Sequence, residues 1–136
     1  MKVLLLGATG NLGSRLVPAL LTHNHQVVAF VRSSSKLEAI LSAEVFQRVT
    51  VVEGDATNPT TVKEAIIQKE CDAIVSAAGV AAMAPWKSSE LPKIFKAVFE
   101  GVKAAAAERG SSLRVWLMGG MSVLHYPGTN SILSDL

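Results

Sequence analysis

Three glycines near the start of the chain have the spacing of a phosphate-binding turn. Gly7, Gly10 and Gly13 lie in the segment Gly-Ala-Thr-Gly-Asn-Leu-Gly, directly after the apolar run Val3–Leu6. The first N–H groups of a helix that begins here are unpaired and the positive end of its dipole lies beside them, so an anion can bind without a basic side chain. Such a turn can also be a purely backbone feature, but its position between a strand and a helix favours a dinucleotide pyrophosphate. The predicted phosphate site comprises Gly7, Thr9, Gly10, Asn11, Leu12 and Gly13.

A second group of polar residues follows the apolar run Gln26–Val31. It contains Arg32, Ser33 and Lys36. NAD-selective sites usually carry an acidic side chain at the end of the second strand, where it accepts hydrogen bonds from the ribose hydroxyls. An arginine there can instead hold a 2′-phosphate through two parallel hydrogen bonds. These residues predict NADP(H) as the cofactor, with NAD(H) less favoured, although an arginine at a strand end can also serve solubility alone.

Short apolar runs alternate with helical repeats along the chain and define the elements that must position these residues. The predicted strands are Val3–Leu6, Gln26–Val31, Val49–Glu53, Asp72–Ser76 and Arg114–Met118. The last helix is the longest, and its apolar stripe recurs at helical spacing. That stripe consists of Leu91, Ile94, Phe95, Val98, Phe99 and Val102.

Three shorter helices are predicted between the strands. The first carries Leu12, Leu16, Leu20 and Leu21 on one face, although Pro18 inside it should cost a hydrogen bond. The second runs from Ser35 to Phe46, because Ser35 and Glu38 have the spacing of a capping box. The third opens at Asn58 and Pro59, an N-cap residue followed by proline at the first helical position.

Strands that alternate with helices on short connections imply right-handed crossovers and a parallel sheet covered on both faces. We therefore predict a single α/β domain with a doubly wound parallel sheet of the Rossmann type and strand order 3-2-1-4-5. In this order the chain reverses direction between strands 1 and 4, and ligands bind outside the carboxyl ends of the strands at that point. Both groups of polar residues lie on that edge.

The spacing Gly-x-x-Gly-x-x-Gly resembles the signature of the atypical and extended short-chain dehydrogenase/reductases, including their NmrA-like and flavin-reductase-like groups. Two further segments match the pattern of this family, namely Glu53-Gly54-Asp55-Ala56 and Ser76-Ala77-Ala78-Gly79. The resemblance implies that Asp55 and Ala56 border the adenine, with the Asp55 carboxylate accepting from its exocyclic amine. It also implies that Ala77, Ala78 and Gly79 border the ribose and the nicotinamide. Small residues allow this close approach of backbone to ligand.

The chemistry of hydride transfer has fewer candidates in this chain. Ordinary short-chain dehydrogenases use a serine and a tyrosine followed four residues later by a lysine, which lowers the pKa of the tyrosine. The only tyrosine is Tyr126, and Asn130 stands where that lysine would be. Ser122 occupies the position of the family serine, and His125 is a further proton source because histidine titrates near neutral pH. Ser122, His125 and Tyr126 are the predicted catalytic residues, and no metal site is predicted.

Three functions remain open at this point. The first is an NADPH-dependent oxidoreductase acting on a small carbonyl, enone or flavin-like substrate. The second is a non-catalytic NADP(H)-binding redox sensor or regulatory protein, favoured by the missing Tyr/Lys pair. A nicotinamide-dependent epimerase or isomerase is the third. Family members usually continue further than Leu136, so the substrate-binding part is expected to be largely missing.

Composition limits the partners and the compartment. Hydrophobic residues make up 49% of the chain, charged residues 18%, and the formal net charge is +2. There is no basic stripe for nucleic acid and no apolar run long enough to span a membrane. Cys71 is the only cysteine, which favours a cytoplasmic protein without disulfides. The high apolar content favours a homo-oligomer whose interface includes Ile132, Leu133 and Leu136.

Overall fold

The computed structural model describes residues 1–78 and 90–118, in which strands and helices alternate. The strands are β1 (Lys2–Leu6), β2 (Gln26–Val31), β3 (Val49–Glu53), β4 (Ala73–Ser76) and β5 (Arg114–Leu117). The helices are α1 (Asn11–Thr22), α2 (Ser34–Ile40), α3 (Ala43–Gln47), α4 (Pro59–Gln68) and α5 (Leu91–Arg109). Each strand ends within one residue of its predicted position.

All the pairings in the sheet are parallel, and the strand order is β3-β2-β1-β4-β5. This confirms the predicted doubly wound α/β fold of the Rossmann type. β1 is the central strand, and its side chains alternate between two cores. Leu4 and Leu6 belong to one core, whereas Leu5 belongs to the other. Burial on both faces explains why its sequence is uniformly apolar.

Helices cover both faces of the sheet. The core on one face includes Val62 and Ile66 from α4 and Val98 from α5. The core on the other face includes Val17 from α1 and Leu37 from α2. In the part of the chain that the structure describes, no helix is long and apolar enough to cross a membrane.

The prediction of one helix from Ser35 to Phe46 is wrong. The chain forms α2 and α3 instead, because the backbone at Leu41 and Ser42 is extended and the Ser42 hydroxyl caps α3 by accepting a hydrogen bond from the Val45 N–H at 3.3 Å. The predicted capping box is also wrong. The N-cap of α2 is Ser33, whose hydroxyl accepts from the Lys36 N–H.

The predicted apolar stripe of α5 is wrong at Phe99, whose side chain is 58% exposed. The buried residues of this helix are Ala97, Val98, Gly101, Val102 and Ala105. Val98 and Val102 belong to the predicted stripe, whereas Ala97, Gly101 and Ala105 are small residues that a search for large apolar side chains passes over. Pro18 lies on the exposed side of α1, and the helix continues past it to Thr22.

Candidate functional site

A cleft of about 260 Å³ opens at the carboxyl edge of the sheet, where β1 and β4 lie side by side and the chain reverses direction. The turns after β1, β2, β3 and β4 and the start of α5 form its walls. Its lining residues are Gly7, Ala8, Thr9, Gly10, Phe30, Val31, Arg32, Lys36, Gly54, Asp55, Ala56, Thr57, Ala77, Ala78, Glu90 and Ile94. The turns after β1 and β2 contain the residues that the sequence predicts to bind phosphate groups.

The turn after β1 is tightly closed. Gly7 has a φ of 79°, a conformation that favours glycine, and its carbonyl accepts a hydrogen bond from the Gly10 N–H at 3.0 Å. A Cβ atom on Gly7 would lie 2.6 Å from the backbone of Ala77 and Ala78, so the turns after β1 and β4 are in direct contact. Both turns line the cleft.

Helix α1 begins with Gly10 as its N-cap, and no side chain caps it. Its first turn contains no acidic residue. The N–H groups of that turn are available to a ligand, and the helix dipole adds positive potential there. This geometry fits the pyrophosphate of a dinucleotide.

Arg32 and Lys36 bring two positive charges to the cleft. Arg32 directly follows β2, and Lys36 lies in the first turn of α2. Both side chains line the cleft, and within residues 1–78 and 90–118 neither forms an ion pair. The charges are free to attract an anionic group of a ligand.

Ser33 and Asp55 are engaged by local hydrogen bonds. The Ser33 hydroxyl caps α2 and lies 3.0 Å from that of Ser35, and Ser33 does not line the cleft. Asp55 Oδ1 accepts from the Thr57 N–H at 2.8 Å and from the Thr57 hydroxyl at 2.6 Å. These bonds, with the charge of Arg32, lower the pKa of Asp55, so its carboxylate stays ionised and able to accept at neutral pH.

The remaining predicted residues divide into two groups. Asn11 and Leu12 are exposed in the first turn of α1 and do not line the cleft, whereas Gly13 is buried beneath it. The others lie outside the described residues, and these are Gly79, Ser122, His125 and Tyr126.

Several lining residues were not predicted from sequence. Phe30 and Val31 end β2, and Thr57 belongs to the turn after β3, so strand ends alone could have indicated them. Glu90 and Ile94 reach the cleft from the start of α5, far along the chain, and no local pattern indicates that contact.

Other titratable or nucleophilic side chains lie outside the cleft. Cys71 is fully buried, and burial raises the pKa of its thiol to about 11, so it behaves as a small apolar residue. His25 Nδ1 lies 3.3 Å from the Met1 amino nitrogen, at the amino end of β1 and thus at the edge opposite the cleft. The described residues contain no group of three His, Cys, Asp or Glu side chains that could hold a metal ion.

A parallel sheet with an uncapped helix at its switch point and a glycine turn against it defines a dinucleotide-binding α/β domain. Residues 7–125 match the family described as NAD(P)H-binding. The chain belongs to this family. No curated protein sequence matches the chain.

Solved structures share the fold. Serine dehydrogenase from Escherichia coli superposes with a TM-score of 0.70 at 23% identity, covering 94% of this chain and 66% of that one. Yeast methylglyoxal/isovaleraldehyde reductase Gre2, complexed with NADPH, gives 0.71 at 18% identity and covers 92% and 39%. The Bordetella bronchiseptica enzyme WbmG, in complex with NAD, gives 0.65 at 21% identity and covers 86% and 36%. This chain thus spans two thirds or less of the length of these structures.

Proposed function

We propose that the domain prefers NADP(H) to NAD(H) and that it belongs to an oxidoreductase of the atypical short-chain dehydrogenase/reductase type. The observation that carries the proposal is the presence of two cations, Arg32 and Lys36, in the cleft beside the end of β2, neither of which forms an ion pair with another described residue. The same fold holds NADPH in the yeast reductase and NAD in WbmG, so local residues must decide the selectivity. The position after β2, where NAD-selective sites carry an acidic side chain that accepts from a ribose hydroxyl, is occupied by Arg32.

Each turn around the cleft would contact a different part of the dinucleotide. The first turn of α1 and the backbone around Gly10 would receive the pyrophosphate, and Arg32 with Lys36 would receive the 2′-phosphate. Asp55 and Ala56 would border the adenine, while Ala77 and Ala78 would border the ribose. The nicotinamide, when bound, supplies the hydride, and the protein contributes orientation and exclusion of water.

The proposed substrate is a small carbonyl, enone or flavin-like molecule. Ser122 would polarise the acceptor, and His125 and Tyr126 are the proposed proton donors. The second candidate is a non-catalytic NADP(H) sensor, which Asn130 favours because it stands where a lysine would activate Tyr126. An epimerase or isomerase that retains its nicotinamide is a third, weaker proposal.

Binding and turnover can be tested on the same preparation. Titration with NADPH and NADH should give a clearly lower Kd for NADPH, and NADPH absorbance at 340 nm should fall with at least one member of a carbonyl, enone and quinone panel. Tight NADPH binding without turnover across the panel would favour the sensor. Equal affinity for the two dinucleotides would contradict the cofactor preference.

We further propose that copies of the chain associate in a cytoplasmic setting. Phe99, Val115 and Trp116 are large apolar residues with more than a third of their surface exposed, and Cys71 is the only cysteine. Association would remove such surface from water, at roughly 25 cal/mol for each Å² buried. Gel filtration at micromolar concentration should give a mass above the 14.3 kDa of one chain. A monomer mass would contradict this proposal.

A further inference from the structure

Glu53, the last residue of β3, makes a contact that connects the far edge of the sheet to the residues around Arg32. Its Oε1 accepts a hydrogen bond from the Ser34 backbone N–H at 2.7 Å. The two residues are 19 apart in sequence, and Ser34 is the first residue of α2. Glu53 does not line the cleft.

A second hydrogen bond fixes the β2 end of the short connection from β2 to α2. The Gly54 N–H donates to the Val31 carbonyl at 2.9 Å, and Val31 pairs with Glu53 in the sheet register. Arg32 and Ser33 are the only two residues between these anchors. The backbone of Arg32 is thus held at both sides by the end of β3.

Within the described residues, the other hydrogen bonds of this connection are local ones between Ser33 and the start of α2. α2 has seven residues, and Leu37 is its one buried residue. Helices this short are marginal on their own because nucleation is costly. The Ser33 cap bond to Lys36 is long, at 3.4 Å, compared with the 2.7 Å bond to Glu53. Hydrogen bonds from the backbone and the hydroxyl of Ser34 also lower the pKa of Glu53, so the carboxylate is charged at neutral pH.

We propose that Glu53 is a positioning residue for cofactor selectivity, which holds Arg32 and the start of α2 where both cations meet the 2′-phosphate. This inference rests on the proposed preference for NADP(H). A charge-assisted hydrogen bond to a backbone N–H is stronger than a neutral one, and preorganisation removes the cost of ordering the connection when the cofactor binds. The proposed pyrophosphate contacts lie on the turn after β1, and Asp55, two residues after Glu53, is held by its own hydrogen bonds from Thr57.

The test compares Glu53→Ala, Glu53→Gln and the wild-type chain in titrations with NADPH and NADH. Glu53→Ala should lower the affinity for NADPH by about 10-fold, the lower end of what a charge-assisted hydrogen bond contributes, and leave that for NADH nearly unchanged. Glu53→Gln keeps an acceptor oxygen and should fall between the two. Glu64→Ala, which removes the same charge from the exposed face of α4, serves as the matched control and should behave as the wild type.

A direct readout of the contact is the hydrogen exchange of the Ser34 amide, which should be faster in Glu53→Ala. Equal loss of affinity for both dinucleotides would indicate a merely structural role and overturn the proposal. A gain in NADPH affinity in Glu53→Gln would show that the charge of Glu53 acts by repelling the phosphate, and would also overturn it. If the wild-type chain binds NADPH and NADH equally, the proposed preference for NADP(H) is wrong. Slow exchange of the Ser34 amide would then show only that its hydrogen bond to Glu53 supports the fold.

Discussion

The Arg32 side chain lies where β2 ends, exposed to solvent and lining the cleft beside Lys36 and Asp55. Its charge contributes to the lowered pKa of Asp55, so the two side chains interact electrostatically without a close ion pair. A planar guanidinium holds a phosphate through paired hydrogen bonds, which an ammonium does not reproduce. If the domain prefers NADP(H) as proposed, the Arg32 guanidinium is the side chain on which that preference mainly depends.

Arg32→Asp should reverse that choice. The affinity for NADPH should fall by about 10- to 100-fold, since a charge-assisted hydrogen bond contributes roughly 1.5–3 kcal/mol and an aspartate would also repel the phosphate. The affinity for NADH should hold or improve, because the new carboxylate can accept from the ribose hydroxyls. Isothermal titration with both dinucleotides measures the effect.

Arg48→Asp is the matched control for this change. Arg48 is the C-cap of α3 and precedes β3, so it lies toward the amino end of the strand, away from the cleft. It should leave the ratio of the two affinities unchanged. Unchanged selectivity in Arg32→Asp would count against the assignment of the 2′-phosphate to this residue.

Much of the cleft could be predicted from single residues, because strand ends concentrate them at one edge. Gly7, Arg32, Asp55 and Ala77 were all indicated by their position after an apolar run, and all line the cleft. Ser33 was indicated by the same logic, yet it does not line the cleft, and its hydroxyl caps α2. The hydroxyl oxygen of a serine at a helix start can cap the helix or bind a ligand, and the sequence alone does not decide between the two roles.

At the scale of elements, the approach of α1 to the turn after β1 depends on Gly13. A Cβ atom there would lie 1.9 Å from the Gly7 carbonyl oxygen and 2.6 Å from its carbonyl carbon, and these backbone atoms cannot move aside as a flexible side chain can. Gly13 is therefore the residue that allows the helix to begin directly against the turn.

Gly13→Ala should destabilise the fold by about 1–3 kcal/mol, as overpacking does in a tight core. Helix propensity alone would predict the opposite sign, because alanine stabilises a helix interior by up to about 1 kcal/mol relative to glycine. Urea unfolding followed by circular dichroism decides between the two. Gly110→Asn is the control, since no atom lies within 4 Å of a Cβ there and asparagine tolerates the left-handed backbone. A Gly13→Ala variant as stable as the wild-type chain would contradict the packing argument.

The sequence predicted elements well where one signal dominates. Asn58 and Pro59 open α4 as expected, with the Asn58 side chain accepting from the Thr60 N–H at 2.9 Å. Between Ser33 and Ser42 several serines could cap helices, and the start of α2 also receives the contact of Glu53 with Ser34, which is remote in sequence. The packing face of α5 was misjudged at Phe99, because the helix also buries Ala97, Gly101 and Ala105, and a Cβ atom on Gly101 would lie 2.8 Å from the Pro59 carbonyl oxygen at the start of α4.

At the scale of the whole molecule, the described residues form a dinucleotide-binding unit with its cleft at the carboxyl edge of the sheet. The family and the fold explain why its sheet order and cleft were predictable from alternating strands and helices. The chain covers 66%, 39% and 36% of the three solved structures compared above. The yeast reductase contains NADPH and WbmG contains NAD, so selectivity and chemistry have to be sought in individual residues of this chain.

A crystal structure of the protein with bound NADPH tests the central claim most directly. It should place the pyrophosphate at the first turn of α1, beside Gly10, and the 2′-phosphate within about 2.7–2.9 Å of the Arg32 guanidinium, with Lys36 nearby. A complex in which the 2′-phosphate points into solvent and Arg32 turns away from it would contradict the proposed cofactor preference.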